Sequence, residues 1–402
     1  TTVKNPFLKN YGQIYEKISA SFTEWANQSG LFLDKNRSQE TEVLLQRLRV
    51  KGALFRNDGK SIYINGISPA CVACQKGIGS VSLFISLMCH RDCFFCFNKN
   101  QENYEQFSSH KRNYRAELDS LYQSGGKLLH LGLTGGEPLL HKQETVDFCQ
   151  YAKQKFPRVY TRLYTSGDLL DEDTLAKLQE AHLDEIRFSI KVDDSVTLQE
   201  SVLDKMKLAK QYIPSVMVEM PVIPGTLDAM KDLLLKLDAM GIFGINLLEF
   251  CFPLNNPELF KQHDFKIKNP PYRVLYNYWY AGGLPVSESE LESLQLLEFI
   301  IDQKLAIGAQ YCSLENKHTA QVYQQNYNAP VAKTQYFSNK DYFYKSAKVF
   351  GNDISKVLKV FKRLHNTNYL INDDYHYLEF HVERIKDLAK LDIEIAISYN
   401  IM

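Results

Sequence analysis

Between residues 80 and 250 short apolar runs alternate with longer stretches in which apolar residues recur at helical spacing. The runs cover 81–87, 128–133, 159–164, 185–190, 216–222 and 245–250, and the intervening 114–122, 145–156, 175–181, 198–211 and 227–240 read as amphipathic helices. A parallel strand needs a crossover to return, so this alternation predicts an α/β chain built on a parallel sheet. The repeats are fewer than a closed TIM barrel uses, which predicts an open, partial (β/α)6 TIM-like barrel. The chain divides accordingly. Residues 1–78 form a polar, mostly helical N-terminal extension, with Leu44, Leu45, Leu48 and Val50 on one stripe and a hairpin at Asn57-Asp58-Gly59. Residues 79–252 are the barrel core, 253–310 a linker loop and helix (the helix over 290–306), and 311–402 a C-terminal α/β extension. A connecting loop is expected over 251–288, which holds five of the thirteen prolines.

Composition narrows the class without naming it. The 402 residues, 45% hydrophobic and 23% charged, are those of a globular protein rather than a disordered one. Lys and Arg number 47, as do Asp and Glu, so there is no basic surplus of the kind a general nucleic-acid binder carries. No apolar run is long enough to span a membrane. The first residues lack the charged-then-apolar layout of a secretory signal. Eight cysteines in such a chain point to metal or redox chemistry in a reducing, cytoplasmic compartment rather than to a disulfide framework.

The cysteines are unevenly placed: Cys71, Cys74, Cys89, Cys93 and Cys96 crowd together, while Cys149, Cys251 and Cys312 stand apart. Three thiolates at Cys89-x3-Cys93-x2-Cys96, on a loop after a strand, can ligate three irons of a [4Fe–4S] cube and leave one iron without a protein ligand. A zinc site completed by His90 or by a distant ligand is the alternative. Directly after the second strand comes Leu133-Thr134-Gly135-Gly136-Glu137-Pro138. Paired glycines permit close backbone approach to a ligand, and a carboxylate can accept from an ammonium group.

Cys89-His90-Arg91-Asp92-Cys93-Phe94-Phe95-Cys96 resembles the cluster motif of the radical S-adenosylmethionine (SAM) superfamily, including the aromatic Phe95 before the last cysteine. Gly135-Gly136-Glu137 is similar to that family's SAM-amine motif. The resemblance covers residues 81 to 250. It implies that Cys89, Cys93 and Cys96 carry a [4Fe–4S] cluster whose open iron chelates SAM, and that reductive cleavage of a carbon–sulfur bond yields a 5′-deoxyadenosyl radical. It implies further that Ser166, Ser189 and Lys191, at the ends of the third and fourth strands, approach the ribose or carboxylate of SAM, and that Val222-Ile223-Pro224-Gly225 packs the adenine. Simple polar capping of strand ends accounts for each of these residues equally well. No catalytic side chain is assigned beyond the cluster.

Other features carry less. Cys71-x2-Cys74, with Cys312 and Cys251 outside helices, is a candidate auxiliary site for zinc, iron or a second iron–sulfur group. Cys149 reads as a buried apolar thiol on a helix, and Glu249 as a structural carboxylate more than a substrate contact. Residues 333–363 hold eight basic against two acidic residues among aromatics, a pattern suited to RNA or an acidic peptide. Ile354, Leu358, Phe361 and Leu364 recur at helical spacing there, which favours an amphipathic helix with a solvated cationic face. Function is thus expected to be hydrogen abstraction by a radical SAM enzyme, with a flavodoxin- or ferredoxin-type reductant and a peptide, protein or small-molecule substrate. A glycyl-radical-enzyme activase is the rival. A non-enzymatic electron-transfer or zinc-organised binding protein is a third reading, against which Gly135–Pro138 speaks.

Overall fold

The computed structural model describes residues 3–192, 194–253, 257–273 and 283–402, in two compact units: residues 33–271 with 283–317, and residues 3–32 with 318–402. Part of the expected 251–288 loop, residues 254–256 and 274–282, lies outside the described residues. Helix α1 (Pro6–Gln28) starts on Asn5, whose Oδ1 accepts from the Phe7 and Leu8 amides at 3.0 and 3.2 Å, with proline in the first turn. Helix α2 (Ser38–Val50) buries Leu44, Leu45 and Leu48, whereas Val50 at its last turn is exposed. Strands β1 (Leu54–Arg56) and β2 (Ser61–Ile64) make the expected hairpin, turning through Asn57, Asp58 and Gly59, all at positive φ. Helix α3 (Pro69–Cys74) is capped by Ser68.

The alternating segment follows as β3 (Ser80–Phe84), α4 (Tyr104–Phe107), α5 (Tyr114–Gln123), β4 (His130–Thr134), α6 (Lys142–Lys155), β5 (Tyr160–Thr165), α7 (Glu172–Glu180), β6 (Glu185–Phe188), α8 (Val196–Ala209), β7 (Ser215–Val222), α9 (Leu227–Ala239) and β8 (Gly244–Glu249). Six parallel strands pair in chain order, as the alternation predicts. The sheet then goes further. After an antiparallel ribbon of β9 (Cys251–Pro253) and β10 (Gly283–Pro285), with α10 (Pro257–Gln262) between them, and α11 (Ser289–Asp302), strand β11 (Gly308–Cys312) pairs in parallel with β8 and antiparallel with β2. The result is a nine-stranded sheet in the order β1-β2-β11-β8-β7-β6-β5-β4-β3. Strand β11 carries no apolar run, because close packing is what admits it: a Cβ on Gly308 would lie 3.0 Å from the Phe243 carbonyl oxygen, and one on Gly244 2.8 Å from that of Gly308.

The helices pack their apolar faces on the outer side of this sheet, around Leu118, Leu175, Met206 and Leu234, all fully buried. The opposite face is polar. Arg162, Tyr164, Glu185, Arg187, Glu219 and Asn246 alternate with apolar residues along β5 to β8 and bond to one another.

Helix α12 (Leu314–Asn326) begins in the first unit and ends in the second, which adds β12 (Tyr336–Phe337), β13 (Tyr344–Phe350), α13 (Asp353–Arg363), β14 (Tyr369–Asn372), β15 (Tyr377–Phe380) and β16 (Ala396–Asn400). Val357 and Phe361 of α13 pack with Ala347, Val349, Leu378 and Phe380 of the sheet. Within the basic stretch Lys345 pairs with Asp341 at 2.7 Å, Lys348 with Glu379 at 3.1 Å and Lys356 with Asp353 at 2.7 Å. Among the described residues no helix is long and apolar enough to cross a membrane.

Candidate active site

The chain leaving β3 and the turn leaving β4 are held together backbone to backbone. The Gly136 amide donates to the Ser86 carbonyl at 3.1 Å and the Glu137 amide to that of Met88 at 2.8 Å. This approach is why glycines stand here. A Cβ on Gly136 would lie 1.8 Å from the Met88 oxygen, and one on Gly135, at φ 120°, 2.5 Å from that of Ser86. That backbone approach sets the position of the residue after Met88, Cys89.

Glu137, 2% exposed, ties the β5 end to the same turn. Its Oε1 accepts from Thr165 Oγ1 at 2.8 Å and from the Leu139 amide at 3.0 Å, and its Oε2 from the Ser166 amide and hydroxyl at 2.7 and 2.8 Å. These bonds engage all the acceptor capacity of a carboxylate, so the group expected to meet a ligand ammonium is engaged inside the protein.

Above this frame lies a cavity of about 160 Å³. The structure brings to its wall Cys89, Cys93 and Cys96 from the cluster loop, Gly135, Gly136 and Glu137, and Ser166, Ser189 and Lys191 from the ends of β5 and β6. Lys191 brings a cation to this wall, within electrostatic reach of Asp92. Burial pushes the Cys89 and Cys96 thiols up, against the pull of the Arg91 and Asn98 amides. Two expected residues lie elsewhere: Phe95 packs against Phe94 and Phe250, at ring distances of 5.0 and 6.1 Å, and Val222 is fully buried at the end of β7.

Among the described residues no three His, Cys, Asp or Glu side chains converge as a single metal ion requires. Cys71, Cys74 and Cys312, the candidate auxiliary ligands, lie within electrostatic reach of each other. Cys71 Sγ accepts from Asn246 at 3.2 Å and from Arg187 at 3.5 Å, and Cys312 Sγ from Asn316 at 3.2 Å. Burial pushes the Cys312 thiol up to about 12 and that of Cys251 to about 11, each against the pull of Lys317. Cys149 is 1% exposed within the α6 face, and Glu249 pairs with Lys268 at 2.5 Å and accepts from the Leu314 amide at 2.7 Å.

The cavity residues that sequence reasoning missed include Tyr164, Arg187 and Glu219. Arg187 bridges Glu185, at 2.6 Å, and Glu219, with its guanidinium 5.4 Å from the Tyr164 ring centre. Burial pushes the Tyr164 phenol up to about 12 despite Arg187. The signal was present: a charge at every second position of an otherwise apolar strand, as in Glu185-Ile186-Arg187, marks a polar inner face.

Residues 83–237 match the model of the radical SAM superfamily. Over 189 residues, 45% of this chain, the sequence is 32% identical to a Methanocaldococcus jannaschii protein provisionally named a glycyl-radical enzyme activating enzyme. The chain spans about half, 50%, of that relative's length. Among solved structures, SuiB of Streptococcus suis is similar at a TM-score of 0.40 and 12% identity, over 79% of this chain and 64% of that one. The anSMEcpe protein with bound AdoMet is similar at 0.36 and 17%, over 43% and 52% of the two chains. Likeness at these scores is too loose to carry a residue or a ligand across.

Proposed function

We propose, for a chain whose residues 83–237 are a radical SAM superfamily domain, an iron–sulfur and SAM-dependent enzyme that abstracts hydrogen from a peptide or protein. The observation that carries this reading is that one cavity gathers Cys89, Cys93 and Cys96 with the Gly135–Glu137 turn and the β5 and β6 strand ends. When bound, a [4Fe–4S] cluster supplies an electron to SAM, whose carbon–sulfur bond breaks to give the 5′-deoxyadenosyl radical.

The chain's own tasks follow from its atoms. Three thiols hold three irons and leave a fourth corner to SAM. Lys191 offers a cation to the SAM carboxylate. The Gly135–Glu137 turn, held by the Glu137 bonds to Thr165, Leu139 and Ser166, forms the wall that faces the SAM ammonium. The enclosing strand ends exclude water and hold one C–H bond near the reactive carbon. A flavodoxin- or ferredoxin-type protein serves as reductant, and free thiols at all eight cysteines suit a reducing compartment.

A second reading, activation of a glycyl-radical enzyme, is favoured by the name of the archaeal relative. Both readings are tested by anaerobic cluster reconstitution followed by dithionite and SAM. We expect 5′-deoxyadenosine from the wild type and none from Cys93→Ala; equal yields from the two would refute the assignment. A glycyl radical signal on a co-expressed partner protein would select the second reading.

A further inference from the structure

We infer that Arg91 and Asp168 position the cluster loop against the strand ends that receive SAM, an inference that rests on the function proposed above. The loop is fixed at its two ends by the Glu137 amide on the Met88 carbonyl, at 2.8 Å, and by Asn98 Nδ2 on the Gly135 carbonyl. Its middle, between Cys89 and Cys93, is held by side chains. Arg91 grips Asp168 with both arms of a fork, Nε to Oδ2 and Nη2 to Oδ1, each at 2.5 Å. Its third nitrogen, Nη1, reaches Asp194 Oδ2 at 2.5 Å, and His90 Nε2 lies 2.6 Å from Asp168 Oδ2.

The partners stand at informative places. Asp168 follows Ser166 by two residues on the β5-end loop, where Ser166 is itself fixed by Glu137. Asp194 follows Lys191 on the β6-end loop, and its amide donates to the Lys191 carbonyl at 3.2 Å. One guanidinium therefore links the cluster thiols to the two strand ends that supply Ser166, Ser189 and Lys191. A bidentate arginine–carboxylate pair fixes direction as well as distance, which a lysine point charge does not. The Arg91 and Asp168 side chains are only 10% and 17% exposed, so solvent screens the pair less than it does the Lys99–Asp92 pair on the same loop, at 43% and 87%.

The test uses the full chain, reconstituted anaerobically, with the electron paramagnetic resonance spectrum of the dithionite-reduced cluster followed as SAM is added. In Asp168→Asn we expect iron and sulfide per chain near wild type, but about tenfold more SAM needed for the half-maximal spectral change. Arg91→Lys keeps the charge and loses the fork, and is expected to fall between the two. Lys99→Ala, which removes only the exposed pair, should titrate as wild type does. An unchanged SAM titration in both Asp168→Asn and Arg91→Lys overturns the inference, as does loss of iron with the remaining clusters titrating normally, which marks a merely structural tie. Absence of any cluster signal or 5′-deoxyadenosine in the wild type would instead strike the proposed function itself.

Discussion

Two sets of cysteines in this molecule look alike on paper and differ in their surroundings. Cys89, Cys93 and Cys96 sit on a loop with glycine-backed support and open onto one cavity. Cys71 and Cys312 already accept hydrogen bonds from Asn246, Arg187 and Asn316. Chelate spacing is shared by both sets. What separates them is the kind of neighbour, which spacing does not record: backbone amides such as that of Arg91, 3.4 Å from Cys89 Sγ, touch the trio on its cavity wall, whereas buried side chains bond Cys71 and Cys312.

The contrast can be broken most severely at Gly136. Gly136→Ala places a methyl group where the Met88 carbonyl oxygen stands, 1.8 Å away, so the loop must move. Reconstituted iron per chain and 5′-deoxyadenosine formation should both fall at least about tenfold. Wild-type iron loading would show that the backbone contact does not seat the thiols.

Thiol reactivity sharpens the other side. A thiol with its pKa near 12 is thiolate in only about one molecule in ten thousand at pH 8, against about one in four for free cysteine, so Cys312 should alkylate about a thousandfold more slowly. The deficit shrinks as pH rises toward that value. Mass-spectrometric labelling of the cluster-free protein with iodoacetamide reads it directly. Cys312 labelling in step with the Cys89–Cys96 trio would erase the distinction.

A third effect concerns the charges around Cys71. Glu185 is fully buried, pairs with Arg187 at 2.6 Å and accepts from Ser68 at 2.6 Å. Glu185→Gln leaves the Arg187 cation, with its side chain 3% exposed, short of one partner. Urea unfolding should report a loss of about 3–5 kcal/mol. A loss below about 1 kcal/mol would mean that Glu219 alone neutralises Arg187.

How much of this was legible depended on whether the information was local. Six barrel strands could be read because each is a short stretch with recurring apolar positions, set between longer stretches of helical periodicity. Strand β11 could not: Gly308, Ala309 and Gln310 are chosen for close approach and inner-face polarity, not for hydrophobicity. The thiol trio was visible in its spacing. Arg91 and Asp168, 77 residues apart, leave no local trace of their pairing. Nor can a sequence say whether the Glu137 carboxylate faces a ligand or its own chain, since both need the same residue.

The contact between Gly136 and Met88 also constrains how this region fluctuates. Two loops joined in this way cannot open one at a time, because parting them leaves the Gly136 and Glu137 amides and the Ser86 and Met88 carbonyls unpaired together. The Gly136 and Glu137 amides should therefore exchange with deuterium at a common rate, set by release of the whole cluster segment. Loss and reinsertion of iron would then be gated on that same timescale, making the lifetime of the metal centre a property of backbone breathing and not of thiol affinity alone.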